Sequence, residues 1–198
     1  MSLSDLFGAL ADVCDGPHAI EGFAADMLRT TAGTASQSDL SHTGAGLPAS
    51  VLEEMSRPDA HPVCALIARL PFSWAPPTTS NDPAYIAHST RKVHVELLGP
   101  QGLVPSDQIR LGLYGMLPFA DYGLRTHPAE EIFIMLAGTA LWRRGDTAYT
   151  PHQPGDRSYH PSGLPHATRT REHAFMSVYV WAGDISTDGY VYTGFPSD

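Results

Sequence analysis

Three residues in the second half of the chain have the types and spacing needed to hold a metal ion. His127 and Glu131 stand an even number of positions apart. A strand, or two strand ends around a bulge at Pro128, can therefore aim both side chains the same way. His166 closes a second segment, Pro154-Gly-Asp through Pro165-His166, which can return as a hairpin arm and face the first. Imidazole nitrogen with carboxylate oxygen suits one divalent ion of Zn, Fe, Ni, Mn or Co, and the lack of a thiolate argues against a closed structural zinc site. His127 and His166 are set apart from the other histidines because each sits among turn residues at fixed offsets. His18, His42, His61, His88, His94, His152, His160 and His173 read as solvated or hydrogen-bonded. Cys14 and Cys64 form no CxxC pair and read as buried small residues in a reducing compartment.

The elements that would position these residues fall into two parts. Leu3, Phe7 and Leu10 recur at helical spacing after a possible cap at Ser2; residues 18–30, 49–55 and 63–70 repeat the pattern. A stretch rich in serine, threonine and glycine, 30–46, reads as a loop. The prolines between Trp74 and Pro83 break the helical pattern, so the expected division is a helical extension over 1–83 and a β-barrel over 84–198. Strand alternation then runs through Val93/Val95/Leu97, Ile109/Leu111/Leu113, Ile132/Ile134/Leu136 and Phe175/Ser177/Tyr179/Trp181. Turn signals at Gly99-Pro100, Gly145-Asp146, Gly155-Asp156 and Gly183-Asp184 separate the runs. Short strands at this spacing imply a sandwich or barrel with a lined interior.

The formal net charge of −9 opposes binding to a phosphate backbone, so no nucleic-acid role is expected. No apolar run approaches the roughly 20 residues of a membrane span, and Asp5, Asp12 and Asp15 stand where a secretion signal would be basic. The expectation is a cytoplasmic protein, monomer or homodimer, acting on a small molecule.

The segments around His127 and His166 resemble the paired motifs of the cupins. The fold this implies is a double-stranded β-helix, or jelly-roll, barrel with a helical N-terminal extension. Within the cupins, His-Pro-Ala-Glu-Glu131, His160-Pro-Ser-Gly-Leu-Pro-His166-Ala-Thr and a downstream Trp181 resemble the short bacterial dimethylsulfoniopropionate (DMSP) lyases of the DddQ type. The resemblance implies His127, Glu131 and His166 as metal ligands, Tyr122 as an active-site tyrosine, and a pocket lined by Arg125, Phe133, Tyr179 and Trp181. Two departures accompany it. The cupin pattern has a histidine where this chain has Arg125, which cannot bind a metal. The lyases have a tyrosine two residues after the ligand glutamate, where this chain has Phe133.

The reaction so implied removes a proton next to the carboxylate of DMSP and expels dimethyl sulfide, leaving acrylate. A metal on the carboxylate would stabilise the charge that develops there. With Phe133 unable to ionise, Tyr122 is the expected base, and its pKa near ~10 must be lowered by the metal or a cation such as Arg125. Arg125 could equally steer the substrate carboxylate or form a salt bridge at the barrel rim. Trp181 would hold the sulfonium over its ring. Two other classes stay open at this point: a non-haem iron dioxygenase, which uses the same two-histidine, one-carboxylate set, and a metal-binding paralogue with little lyase activity.

Overall fold

The computed structural model describes residues 2–33 and 44–195. Helix α1 (Leu3–Val13) starts on a reciprocal cap, in which the Ser2 hydroxyl accepts from the Asp5 amide and the Asp5 carboxylate accepts from the Ser2 amide. Helices α2 (Ala19–Ala32), α3 (Ala49–Met55) and α4 (Cys64–Ile67) follow. Most of the loop expected over 30–46 lies outside the described residues, as does His42, and α2 continues as far as Ala32.

Helix α5 (Pro83–Ser89) corrects the expectation that strand character begins near Ala84. The Asp82 carboxylate accepts from the amides of Ala84 and Tyr85 at 2.8 and 3.1 Å, and Pro83 sits in the first turn, where its missing amide costs nothing. Asp-Pro is a helix start as well as a break, and here the start wins.

Among the described residues, eleven strands form two sheets. The larger sheet runs β2 (Val104–Pro105), β1 (Lys92–Gly99), β3 (Arg110–Met116), β10 (Phe175–Ala182), β5 (Glu130–Gly138), β8 (Arg157–His160). The smaller runs β11 (Val191–Gly194), β4 (Asp121–Thr126), β9 (His166–Arg169), β6 (Ala140–Arg144), β7 (Thr150–His152). Consecutive strands β4 and β5 belong to different sheets, as do β8 and β9, so the chain crosses between layers just where the motif residues lie. The outcome is a two-sheet architecture of the kind that the alternation implied.

Both faces of the larger sheet are buried, for different reasons. Ile132, Ile134 and Leu136, with Val178, Val180, Leu111, Leu113, Val95 and Leu97, join Leu6, Phe7, Leu10, Leu28 and Val51 of the helices in one apolar cluster. Most of the aliphatic alternations in the sequence therefore mark the outer face, which the helical layer covers. The intervening residues point inward and form a second cluster rich in aromatics: Tyr114, Phe133, Tyr179 and Trp181, facing Tyr122 and Trp142 of the smaller sheet. Gly112 is required on this inner face, because a Cβ there would stand 2.1 Å from the Val95 carbonyl and 2.8 Å from the Tyr179 ring. Among the described residues no helix is long and apolar enough to cross a membrane.

Candidate functional site

Strand register brings the metal-type residues together. Glu131 lies on β5 with Trp181 of β10 opposite it on one side and His160 of β8 opposite it on the other. Cross-strand partners point to the same face. The Trp181 indole N–H thus donates to Glu131 Oε1 at 2.5 Å, while His160 Nδ1 lies 3.0 Å from Oε2. A carboxylate held at both oxygens cannot rotate freely. His127 stands in the link between β4 and β5, and His166 opens β9, so each enters from the opposing layer.

The imidazoles are oriented by their own backbone. His127 Nδ1 is 3.0 Å from the Ala129 carbonyl and His166 Nδ1 is 2.8 Å from the Leu164 carbonyl. A carbonyl only accepts, so each Nδ1 carries a proton and each Nε2 is the nitrogen left to face a cation. Those Nε2 atoms are buried without a hydrogen-bond partner, although they lie 3.4 Å (His127) and 2.9 Å (His166) from Glu131 Oε2. Donor atoms of His127, Glu131 and His166 all fall within 4.8 Å of one another. Metal bonds of about 2.1 Å in a tetrahedron set ligand atoms roughly 3.4 Å apart, so the group fits a small divalent cation.

Electrostatics agrees with that fit. Burial, with Arg125 and His160 adding to it, pushes His166 well below its ordinary pKa, so the ring is neutral and able to ligate. Burial alone would raise the Glu131 carboxyl, but the surrounding imidazoles hold it well below the usual carboxylate range.

A cavity of about 100 Å³ opens against this group, lined by Tyr114, Tyr122, Glu131, Phe133, Tyr179 and Trp181 among others. Four of the predicted site residues therefore line one cavity, Tyr122 from the smaller sheet and Phe133, Tyr179 and Trp181 from the larger. One face of the Trp181 ring is covered by His127, with centroids 4.2 Å apart and planes 26° apart. Tyr179 is tied to His94, its hydroxyl 2.7 Å from Nε2. Tyr122 shares a hydrogen bond of 2.7 Å with the Tyr190 hydroxyl. Burial, followed by the neighbouring phenols Tyr190 and Tyr85, pushes the Tyr122 phenol well above its ordinary range, and Arg125 pulls it back.

Arg125 does not line the cavity. Its guanidinium is buried behind Tyr122, with Cζ 3.7 Å from that ring's centre and 5.6 Å from the Trp142 ring. The rim salt bridge considered from sequence is not formed among the described residues, because Arg125 faces aromatic rings inside the barrel and no carboxylate pairs with it.

Sequence reasoning passed over several residues. His160 is hydrogen-bonded, as expected of it, but its partners are Glu131 and Ser158, and its ring stacks on His166 at 4.1 Å. Tyr190, from the segment after β10, reaches Tyr122 and lies parallel to His127 at 6.1 Å. Nothing in local spacing marks either one. The signal for His160 is its register opposite Glu131, and register is a property of the sheet.

Comparison with known proteins follows the same lines. Residues 51–177 match the family model of the dimethylsulfoniopropionate lyases. The DMSP lyase DddQ of Ruegeria pomeroyi is 40% identical over 91 residues, which span 46% of this chain and 45% of that protein. The crystal structure of DddQ from Ruegeria pomeroyi superposes with a TM-score of 0.61 at 26% identity, covering 91% of this chain and 98% of that one. A chain from the crystal structures of the DMSP lyases RdDddP and RnDddQII superposes at 0.65 with 23% identity, covering 96% and 97% of the two chains, and shares the fold.

Proposed function

The chain belongs to the dimethylsulfoniopropionate lyase family, and we propose that it cleaves this substrate to dimethyl sulfide and acrylate. The observation that carries the reading is the His127, Glu131, His166 group placed against a small cavity walled by aromatic rings. Those three residues would hold one divalent ion, Zn, Fe, Ni, Mn or Co. When bound, the ion supplies Lewis acidity that draws charge from the substrate carboxylate and acidifies the adjacent C–H.

The chain's own residues supply the rest. Tyr122 takes the α-proton on its oxygen; the C–H electron pair becomes the carbon–carbon double bond; the carbon–sulfur bond breaks, and sulfur leaves with its pair as neutral dimethyl sulfide. Phe133, Tyr179 and the uncovered face of Trp181 receive the sulfonium, an attraction of roughly 0.5–2 kcal/mol. Arg125, fixed against the Tyr122 ring, favours the anionic phenol that the base requires. Cys14 and Cys64, both free and buried, fit a cytoplasmic enzyme, and one chain carries every group the reaction needs, so a monomer or a homodimer would serve.

The test is release of dimethyl sulfide into the headspace over purified protein, with and without chelator. His127→Ala and His166→Ala are expected to lose bound metal and activity together. Tyr122→Phe is expected to keep the metal and lose about 10²–10⁴ in kcat. No product above the metal-free control at millimolar substrate would end the reading. Iron-dependent oxygen uptake would replace it with the oxygenase alternative.

A further inference from the structure

The chain has eleven arginines but a single lysine, Lys92. That one ammonium group is not at the surface. Lys92 opens β1 on the inner face of the larger sheet, is 1% exposed, and its Nζ has no hydrogen-bond partner. Nζ lies 3.6 Å from the centre of the Tyr122 ring and 5.3 Å from that of Tyr85. The same Tyr122 ring carries the Arg125 guanidinium, whose Nη2 is also buried without a partner. Two basic groups are thus packed on one phenol, and among the described residues no carboxylate is bonded to either.

An unpaired charge in a dry interior is costly; Arg125 stays charged, and the chain can avoid adding a second unpaired charge in two ways. Lys92 can stand as a neutral amine beside neutral Tyr122, or as an ammonium beside a Tyr122 phenolate. Other groups facing Lys92 do not change this choice. The Tyr85 ring and His88 come from α5, while Asp121 and Arg125 come from β4 and act on Lys92 with opposite signs. Resting on the reading of Tyr122 as the base, we propose that Lys92 is its charge partner: the buried amine becomes an ammonium as the phenol becomes a phenolate, so the base forms with no change in the net charge of the cluster.

The proton balance closes. One proton distributed over the pair sits on nitrogen in the reactive form. The phenolate then takes the α-proton, and Lys92 returns one proton to solvent, matching the one proton the cleavage releases. Burial, with Arg125 adding to it, pulls the Lys92 amine down to about 6, so the pair sheds its first proton near that pH. The doubly protonated pair contains no phenolate, so the base is absent below that pH. Activity should therefore rise with pH through about 6, a value belonging to the pair and not to either residue.

Lys92→Met keeps the length and removes the charge; Lys92→Arg keeps the charge permanently. A merely structural role predicts that both are damaged alike, whereas charge pairing separates them. On the metal-loaded protein, ultraviolet titration of tyrosinate, assigned by difference against Tyr122→Phe, should show Tyr122 ionising at least tenfold more readily in Lys92→Arg than in Lys92→Met. Carbon NMR of ε-labelled lysine gives one resonance, expected to titrate near 6. With substrate at pH 8, Lys92→Met should lose about a hundredfold in kcat, and Lys92→Arg should stay within about tenfold with its rising limb displaced to higher pH. Equal Tyr122 ionisation in the two variants, or a lysine resonance that stays protonated above pH 9, would overturn the proposal. Both spectroscopic readings are independent of turnover, so an inert wild type would remove the lyase reading and leave the charge coupling to be judged by them.

Discussion

Replacing Trp181 by phenylalanine separates two jobs that the indole performs. Its ring covers His127 at 4.2 Å, while its N–H donates to Glu131 Oε1 at 2.5 Å. Phenylalanine retains most of the ring and deletes the donor. A hydrogen bond to a charged, buried acceptor contributes about 1.5–3 kcal/mol, and losing it leaves one carboxylate oxygen unpaired in the interior. Glu131 should then bind a proton more readily and turn more freely, so a proton competes with the cation and the ligand geometry loosens. Loss of an outer partner of this kind weakens metal binding by roughly 10–100-fold. The assay is competition for Zn²⁺ against a chromophoric chelator at pH 6, 7 and 8, with thermal melting as the control for folding. The expected result is a loss of about 30-fold at pH 7, larger at pH 6 and smaller at pH 8. Zinc affinity within threefold of wild type across that range would show that the register-imposed clamp on Glu131 does not support the metal group.

Two further outcomes follow from buried charge. Burial, with Arg110 adding to it, depresses His94 from 6.5 to about 4, so the unfolded chain binds more protons between those values and stability must fall as pH drops through that window. About 2–3 kcal/mol should be lost between pH 7 and 4 in chemical denaturation, and His94→Gln should flatten that part of the profile. Glu21 is fully buried and paired with Arg157 at 2.5 Å, joining α2 to β8. Arg157→Met should cost about 3 kcal/mol by stranding that carboxylate, and adding Glu21→Gln should recover part of it; equal melting temperatures for wild type and Arg157→Met would refute the link.

Much of this protein was legible in the chain itself. A ligand's type and its spacing from the next are local facts, so His127, Glu131 and His166 could be singled out from two short segments, and the alternating strands with their turns announced a two-sheet fold. Alternation with period two says which residues share a face, but not which face is inside. Ile132, Ile134 and Leu136 take the outer face, because the helices cover that side and leave Glu131, Phe133 and Met135 within. Helix α5 hid behind a proline that started it. Everything depending on register or closure required the tertiary structure: His160 and Trp181 on either side of Glu131, Tyr190 against Tyr122, and Arg125 turned inward to a ring where a rim partner was one alternative. Lys92 is the plainest case, since one lysine in a sequence is only a cation until the barrel closes over it, and burial with no carboxylate bonded to it among the described residues then makes its proton negotiable.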